Sequence, residues 1–320
     1  MRVLISGGAG FIGSHVVAQL VSQGHEPFVV DDLSSGSQEN LTSDVPFFEI
    51  DVRHRLALRR VVDEVHPDCV CHQAAQMSVS RSVREPVFDA EVNVIGLLNM
   101  LELSAEHGVG RFVFASSGGV LYGDVHKPAG EDHPADPISP YGISKWVGEK
   151  YVEFFTREHS IQGVALRYAN VYGPRQNPHG EAGVVAIFCT RMMNGAETTI
   201  NGDGSIVRDF VYVEDVARAN VLAMESQLDS PFVALNVGTS NATTINFLAA
   251  ELHRGCIAAR QARGLSQDVP APSYGPARAG DLQSSLVDAS RAKQVFGWQP
   301  QVPLADGLDR TVTWFSQQSQ

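Results

Sequence analysis

A tyrosine and a lysine four residues apart are the side chains in this sequence that best suit proton transfer. Tyr141 and Lys145 follow Ser139 and Pro140, which are typical of a helix N-cap and a first helical turn. Residues four apart share one face of a helix, so the lysine ammonium would lie beside the phenol. A phenol has an ordinary pKa of about 10, and a neighbouring positive charge favours its phenolate. The pair therefore predicts a general base that removes a proton from a hydroxyl group.

Two hydroxyl side chains at the end of a strand predict a second part of the same site. The apolar strand Phe112–Ala115 runs directly into Ser116 and Ser117. Ligands of parallel sheets bind beyond the carboxyl ends of the strands, so a hydroxyl here can bridge a substrate oxygen and Tyr141. We assign this role to Ser117, with Ser116 as the alternative; each could instead be a serine that only shapes the turn.

A glycine-rich turn near the start of the chain predicts a dinucleotide site. Gly7, Gly10 and Gly13 follow a predicted strand and open a helical pattern that includes Phe11 and Ile12. The first glycine allows a tight turn, the second lets a pyrophosphate approach the backbone, and the third lets helix and strand pack closely. The free N–H groups at the helix start can then bind the phosphates.

An acid at the end of the second predicted strand indicates which dinucleotide is bound. Asp31 follows the glycine turn at the distance where a carboxylate binds the ribose hydroxyls. It would repel a 2′-phosphate, and Leu33 and Ser34 supply no arginine to offset that repulsion. The sequence therefore favours NAD over NADP, and the positive nicotinamide ring would further favour the Tyr141 phenolate.

Five further positions are assigned to the cofactor site from their places after strands. Asp51 and Val52 follow the third strand, where Asp51 could meet the adenine or could equally cap a helix over 52–60. Ala74 and Ala75 follow the fourth strand and are small enough to let a cofactor pass. Asn93 lies in a helical segment and could either position the cofactor or tie the helix to the sheet.

Short apolar strands alternate with longer helical patterns through the first half of the chain. Strands are predicted at 2–6, 27–30, 47–50, 69–72, 112–115 and 164–168, and helices near 55–65, 83–106 and 140–159. This alternation predicts an α/β protein with a doubly wound parallel Rossmann sheet. We predict an NAD-binding domain from 1–172 and about 208–238, and a smaller α/β substrate-binding domain from about 173–207 and 239–320. The stretch 173–183, rich in Gly, Pro and Asn, is predicted to be a loop.

The composition narrows the classes of partner. The 320 residues carry a net charge of −12, which disfavours nucleic acid and anionic membranes. No apolar run approaches the length of a membrane span and no leader precedes the first strand, so we expect a cytoplasmic protein. Four cysteines, at 69, 71, 189 and 256, fit no metal-binding spacing and are expected in the core, and no metal site is predicted.

Together these motifs resemble the extended short-chain dehydrogenase/reductases and, among them, the UDP-glucose 4-epimerase family. The resemblance covers nearly the whole chain and rests also on the segments 72–75, 116–123, 167–175, 208–211 and 278–282. It implies that Asn170, Arg208 and Arg278 hold a diphosphate and that Asp281 holds the uridine ribose. It also implies a homodimer, whose interface would be formed by the helices of 83–106 and 140–159.

The resemblance implies a reaction as well. NAD would take hydride from C4 of a UDP-hexose while Tyr141 takes the hydroxyl proton; the 4-keto sugar would turn about its diphosphate and receive hydride on its other face. Gly118 and Gly119 stand where dehydratases of this superfamily carry an Asp-Glu pair, which argues against loss of water. The position that gates the sugar pocket in the epimerases falls at Ser285, whose small side chain suggests that UDP-N-acetylhexosamines are also admitted.

Two other functions are compatible with the same motifs. A UDP-glucuronate 4-epimerase or decarboxylase needs a cation near the C6 carboxylate, for which Arg175 is the candidate unless it is only a structural arginine in its loop. A non-catalytic dinucleotide-binding protein should have lost Tyr141, Lys145 or Ser117, and all three are present.

Overall fold

The computed structural model describes residues 1–178, 183–278 and 280–318. Its strands are β1 Arg2–Ser6, β2 Glu26–Asp31, β3 Phe47–Glu49, β4 Cys69–His72, β5 Arg111–Ser117, β6 Gln162–Tyr168, β7 Asn170–Tyr172, β8 Thr199–Asn201, β9 Val207–Arg208, β10 Phe210–Tyr212, β11 Phe232–Val237, β12 Thr243–Thr244, β13 Ser273–Gly275 and β14 Ser284–Ser285. The helices are α1 Phe11–Ser22, α2 Arg55–Val65, α3 Val79–Arg84, α4 Pro86–Ala90, α5 Gly96–Glu106, α6 Gly118–Leu121, α7 Pro140–Glu158, α8 Val184–Met193, α9 Val213–Glu225, α10 Ile245–Ala262, α11 Ser290–Phe296 and α12 Leu304–Gln318. A 3₁₀ turn covers Gln38–Asn40, and a π-helical turn covers Glu91–Ile95.

A seven-stranded sheet of strands from both halves of the chain has the order β11-β6-β5-β4-β1-β2-β3. Every neighbouring pair in it is parallel. All seven strands therefore end at one edge, which is where ligands bind in open parallel sheets. The predicted doubly wound Rossmann sheet is confirmed. Its seventh strand, β11, was not predicted, because Phe232–Val237 follows a polar segment and lacks the regular spacing of the earlier units.

The strands are apolar on both faces because helices cover both. In β1, Val3 and Ile5 pack into one core cluster whereas Leu4 packs into the other. In β5, Val113 belongs to the first cluster and Phe114 to the second. This two-sided burial explains the near-continuous apolar runs of the sequence and holds the strand ends at the site in fixed register.

The catalytic helix was predicted within one residue, whereas its neighbour was not. Helix α7 begins after Ser139, whose hydroxyl accepts the Gly142 N–H at 3.2 Å, so the predicted N-cap is confirmed. The single helix predicted over 83–106 is instead α3, α4, the π-helical turn and α5. Pro86 accounts for the first break, because the residue before a proline avoids helical geometry and Glu85 has φ −131°.

A third core cluster supports the later part of the chain. Helices α8, α10 and α12 pack on one another there, around Tyr172, Phe210 and Tyr212. The small sheet β12-β9-β14 lies beside them and carries Arg208 and Ser285 in register. The predicted domain limits remain a prediction, and four of the eleven residues of the predicted loop, 179–182, lie outside the described residues. In the part of the chain that the structure describes, no helix has the length and apolarity of a membrane span.

Candidate active site

A cavity of about 440 Å³ lies beyond the carboxyl ends of the central strands. Both halves of the chain contribute to its wall. The predicted site residues that line it are Phe11, Ile12, Ser117, Tyr141, Asn170, Arg208, Arg278 and Asp281. The cavity therefore joins the glycine turn, the catalytic helix and the arginines in one space, although these segments are up to 270 residues apart in the sequence.

The glycine turn is shaped by close backbone contacts. Gly7 has φ +71°, and a Cβ there would lie 2.5 Å from the backbone nitrogen of Ala74. A Cβ on Gly13 would lie 2.1 Å from the Gly7 carbonyl oxygen, so the start of α1 packs against the turn. At Gly10 the nearest protein atom to such a Cβ is the Gly7 oxygen at 3.2 Å. No side chain caps α1, so its first N–H groups can bind a pyrophosphate.

Asp31 connects the glycine turn to the end of β2. Its carboxylate accepts the Ala9 N–H at 3.0 Å and the Leu33 N–H at 2.9 Å. The side chain is buried, and that burial raises its pKa. A carboxylate has about four acceptor sites, so these two bonds leave capacity for ribose hydroxyls. The ribose role of Asp31 stays a prediction.

Asp51 pairs with an arginine beside it instead of capping a helix. It accepts the Arg53 backbone N–H at 2.8 Å and both Nε and Nη2 of the Arg53 guanidinium. The guanidinium holds the pKa of Asp51 below its ordinary value. The predicted N-cap is wrong, because α2 begins at Arg55 with His54 at the N-cap position. Val52 is buried against Gly96, where a Cβ would lie 2.6 Å from its side chain.

The segment after β4 is held by the side chain of Asn93. Asn93 accepts the Gln76 N–H through Oδ1 and donates to the Gln76 carbonyl through Nδ2, both at 2.9 Å. Of the two roles considered for Asn93, these contacts support the structural one, which ties the π-helical turn to this segment. Ala74 packs its backbone against Gly7, and Ala75 follows it. Both side chains are partly buried and neither lines the cavity, so their cofactor role stays a prediction.

Tyr141 and Lys145 lie one turn apart on α7, as predicted. The Lys145 ammonium lies 5.8 Å from the centre of the Tyr141 ring and donates to the Ala115 carbonyl at 2.8 Å. Ser117 and Tyr141 both line the cavity, and the Ser117 hydroxyl lowers the pKa of the Tyr141 phenol against the effect of burial. The Ser116 hydroxyl instead donates to Glu149, which is paired with Arg167. The structure therefore places Ser117, and not Ser116, beside the phenol.

The pKa of Tyr141 differs from the expectation that the neighbouring lysine makes its phenol more acidic. Burial raises the pKa of Tyr141 to about 12, against the lowering effect of the Ser117 hydrogen bond. Burial also lowers the pKa of Lys145 to about 8. The lysine therefore does not by itself make the phenol acidic, because desolvation outweighs its charge. Further positive charge close to the phenol is needed for it to act as a base at neutral pH.

The predicted diphosphate residues line the same cavity. Arg208 is largely enclosed; burial lowers its pKa, while Asp281 and Asp124 oppose that shift. Arg278 and Asp281 are exposed at the rim, and Ala279 between them lies outside the described residues. The Asn170 side chain faces Gly119, with its Oδ1 3.2 Å from where a Cβ on that glycine would lie. The cavity wall thus combines two guanidinium groups with an amide, and these groups suit a diphosphate.

Ser285 is placed differently from the expectation of a pocket-lining gate. It is buried in β14, and its hydroxyl donates to the Gly119 carbonyl at 3.1 Å. Gly119 lines the cavity, whereas Ser285 lies behind it and is not among the lining residues. The parallel pairing of β14 with β9 turns the side chain towards α6, so the residue acts on the cavity only through that backbone.

Sequence reasoning missed the apolar wall of the cavity. Val185 and Phe188 of α8 and Ile206 line it, but their helical or strand spacing is the same as that of core residues. Arg175 lines it as well, with a left-handed backbone at φ +66°. Its Nη1 is buried and has no hydrogen-bond partner among the described residues. A positive φ at a non-glycine residue is uncommon and marks a position that the surrounding structure holds.

Comparisons with known proteins agree with this geometry. Residues 3–238 match the family described as the NAD dependent epimerase/dehydratase family, and the chain belongs to that family. A UDP-glucose 4-epimerase of Mycolicibacterium smegmatis is 43% identical and aligns over 100% of both chains. The crystal structure of a UDP-glucose 4-epimerase with UDP-glucose from Thermotoga maritima has a TM-score of 0.92 and 46% identity, covering 99% of each chain. A Thermus thermophilus UDP-glucose 4-epimerase in complex with NAD has a TM-score of 0.89 and 42% identity, covering 98% of this chain and 99% of the other.

Proposed function

We propose that this protein is an NAD-dependent 4-epimerase that interconverts UDP-glucose and UDP-galactose through a transient 4-keto sugar. The observation that carries the proposal is one cavity whose wall contains Ser117 and Tyr141, the residues Phe11 and Ile12 that follow the glycine turn, and Arg208. Family membership and the UDP-glucose 4-epimerases similar over full length support the same activity.

The residues of the first half fit NAD. The open face at Gly10 and the uncapped start of α1 suit the pyrophosphate, and Asp31 suits an unphosphorylated ribose. When bound, NAD supplies the hydride acceptor and the positive charge that favours the phenolate. Lys145 holds the carbonyl end of β5 through Ala115 and so fixes the strand that carries Ser117.

The protein residues then perform the proton transfer and hold the sugar. Ser117 orients the sugar hydroxyl, and Tyr141 accepts its proton and later returns it, so no proton is gained or lost over the cycle. Arg208 and Arg278 hold the diphosphate while the sugar turns over within the cavity. The enclosed Tyr141 side chain keeps the reacting hydroxyl away from bulk water.

The described residues around this cavity do not supply the acid–base pair that loss of water would need. Dehydration across C5–C6 needs an acid and a base beside the sugar, and the described residues place Gly118 and Gly119 there. Among the described lining residues, Asp281 is the one carboxylate, at the diphosphate end. Incubating the purified protein with UDP-glucose, without added cofactor, is expected to yield UDP-galactose; a protein that holds NAD and forms no UDP-galactose would contradict the proposal.

A UDP-uronate 4-epimerase or decarboxylase is a second candidate, favoured by one observation. The buried Nη1 of Arg175 at the cavity wall has no partner in the described structure, and a C6 carboxylate would satisfy it. Incubation with UDP-glucuronate distinguishes the candidates. UDP-galacturonate or a UDP-pentose at a rate above that of UDP-galactose formation would favour the uronate function over the hexose one.

Acceptance of UDP-N-acetylhexosamines is a prediction on sugar specificity. Ser285 is small and lies behind Gly119, so a tyrosine in its place would have to push Gly119 or its own ring into the cavity. We expect the wild type to convert UDP-GlcNAc, and Ser285→Tyr to lower that rate by about tenfold or more relative to UDP-glucose. Product chromatography with both substrates measures this, with Ser285→Ala as the control that loses only the bond to Gly119. Absence of UDP-GlcNAc turnover in the wild type would contradict it.

The sequence also predicts a homodimer, which we retain as part of the proposal. Large apolar side chains are exposed on helices that pack beside one another: Val83 at 62%, Val87 at 71%, Ile143 at 50% and Phe154 at 51%. These residues lie on α3, α4 and α7, and the exposed faces of these helices are the surface that we propose for the dimer interface. The cytoplasmic location expected from the sequence remains a prediction.

A charge within this face is expected to separate the subunits. Phe154→Glu would bury a carboxylate against apolar residues of the second copy, which is strongly unfavourable. Light scattering on a sizing column should show a dimer for the wild type and a monomer for the variant. Phe247→Glu is the matched control, since Phe247 is 53% exposed on α10, outside these helices. A dimer that survives Phe154→Glu would place the interface elsewhere.

A further inference from the structure

Asp89 is a buried carboxylate that no step of the proposed reaction uses. It lies on α4, and its exposed fraction is 0%. Its Oδ1 accepts from Gln76 Nε2 at 2.8 Å and from Asn93 Nδ2 at 2.9 Å, while its Oδ2 accepts from the Ser144 hydroxyl at 2.6 Å. The carboxylate therefore joins the segment after β4, the π-helical turn and the catalytic helix α7.

The π-helical turn brings this arrangement about. Asp89 and Asn93 lie four residues apart, and the turn that contains Asn93 directs both side chains to Gln76. Such turns within helices are frequent at functional sites. All three donors to Asp89 are neutral, and among the described residues it forms no direct ion pair. A buried charge without a countercharge is costly, so a cation in the same region is required.

We infer that Asp89 is a positioning residue of the active site, which holds α7 through Ser144 and serves as the buried countercharge of Lys145. This inference rests on the proposed function. The pKa of Lys145 is consistent with this role, because burial lowers it and the charge of Asp89 opposes that shift. The same charge raises the pKa of Tyr141. Asp89 thus favours the ammonium and disfavours the phenolate.

The other titratable groups around Asp89 and Lys145 do not supply a second buried negative charge for the lysine. Burial lowers the pKa of His72 on β4 to about 3 and raises the pKa of Tyr168 on β6, so both are neutral near pH 7. Burial likewise raises the pKa of the Cys71 thiol to about 12. Farther along α7, Glu149 is paired with Arg167. The remaining charged groups on the packed elements are all at least partly exposed: Arg81 and Arg84 of α3, Glu91 of the π-helical turn, Glu102 and Glu106 of α5, and Lys150, Glu153, Arg157 and Glu158 of α7.

Asp89→Asn removes the charge and can keep the hydrogen bonds. Its amide oxygen can accept from Gln76 and Asn93, and its NH₂ can donate to the Ser144 hydroxyl. Without the charge, the pKa values of Tyr141 and Lys145 both fall, so we expect the pH–rate profile to move to lower pH by about one unit or more. Ultraviolet difference titration of the phenol, taken against Tyr141→Phe in the same background, should show the same downward shift. Asp309→Asn, an exposed aspartate on α12, is the control that should leave both unchanged.

The outcomes separate this inference from the proposed function. A phenol titration and a pH–rate profile that both match the wild type would overturn the role of the Asp89 charge. A wild type that converts no UDP-hexose would contradict the proposed function, while a shifted phenol titration would still support the charge. Ser144→Ala keeps the Asp89 carboxylate but removes its hydrogen bond to α7. This variant therefore tests the positioning role even if Asp89→Asn does not fold. We expect it to lower kcat several-fold with KM and the pH profile unchanged; wild-type kcat would overturn the positioning role.

Discussion

Tyr141→Phe is expected to lower the rate of UDP-glucose epimerisation by about 10²- to 10⁴-fold. The substitution removes the phenol oxygen, whose pKa the Ser117 hydroxyl lowers, and keeps the ring whose centre lies 5.8 Å from the Lys145 ammonium. Hydride transfer from C4 then has no adjacent group to take the hydroxyl proton. The hydrogen bonds described for the glycine turn do not involve this oxygen, so bound NAD should be retained.

Initial rates of UDP-galactose formation and the NAD released on denaturation measure the two parts of this prediction. Tyr151→Phe, which removes a half-exposed phenol oxygen from the same helix, controls for any effect on α7. A Tyr141→Phe protein with wild-type turnover would refute the role of Tyr141. A large loss of NAD would show instead that the phenol contributes to cofactor binding.

Arg208→Ala is expected to have the second largest effect, on substrate binding. Arg208 is largely buried at the cavity wall, and Asp281 and Asp124 are the nearby acids that affect its titration. A charge-assisted hydrogen bond to a phosphate contributes roughly 1.5–3 kcal/mol, so losing a bidentate contact should reduce kcat/KM by about 30-fold or more. Because the diphosphate is the pivot about which the sugar turns, kcat should fall as well as KM rise.

Steady-state kinetics with UDP-glucose test this, together with the Kd of UDP measured by calorimetry. Arg254→Ala is the matched control, because Arg254 lies on α10 with its side chain 75% exposed. Arg208→Lys keeps the charge but loses the planar fork, so it should recover only part of the affinity. Unchanged UDP affinity in Arg208→Ala would remove this arginine from the diphosphate site.

The parts of the site that came from local patterns were predictable from the chain. The glycine turn, the N-cap at Ser139 and the one-turn spacing of Tyr141 and Lys145 depend on residues within a few positions of one another. Steric and capping rules act over that same range. The parallel sheet followed as well, since alternating apolar strands and helices have few other ways to bury both faces.

The misses have both local and distant causes. Asp51 was a candidate helix cap, but its Arg53 partner and the start of α2 at Arg55 assign it elsewhere. Ser285 was expected at the pocket surface, but the pairing of β14 with β9 turns it to Gly119. The long helix predicted over 83–106 is divided, since periodicity alone does not register Pro86 or a π-helical turn.

The sequence by itself determined the class of fold, the glycine turn and the candidate base, because each depends on residues that are neighbours in the chain. Only the tertiary structure decided which serine lies near the phenol, since Ser116 donates its hydrogen bond to Glu149, a residue 33 positions further along the chain. It alone also decided the acidity of Tyr141, because desolvation depends on every segment that encloses the ring. Burial is a property of the whole packed chain, and no local pattern of residues reports it.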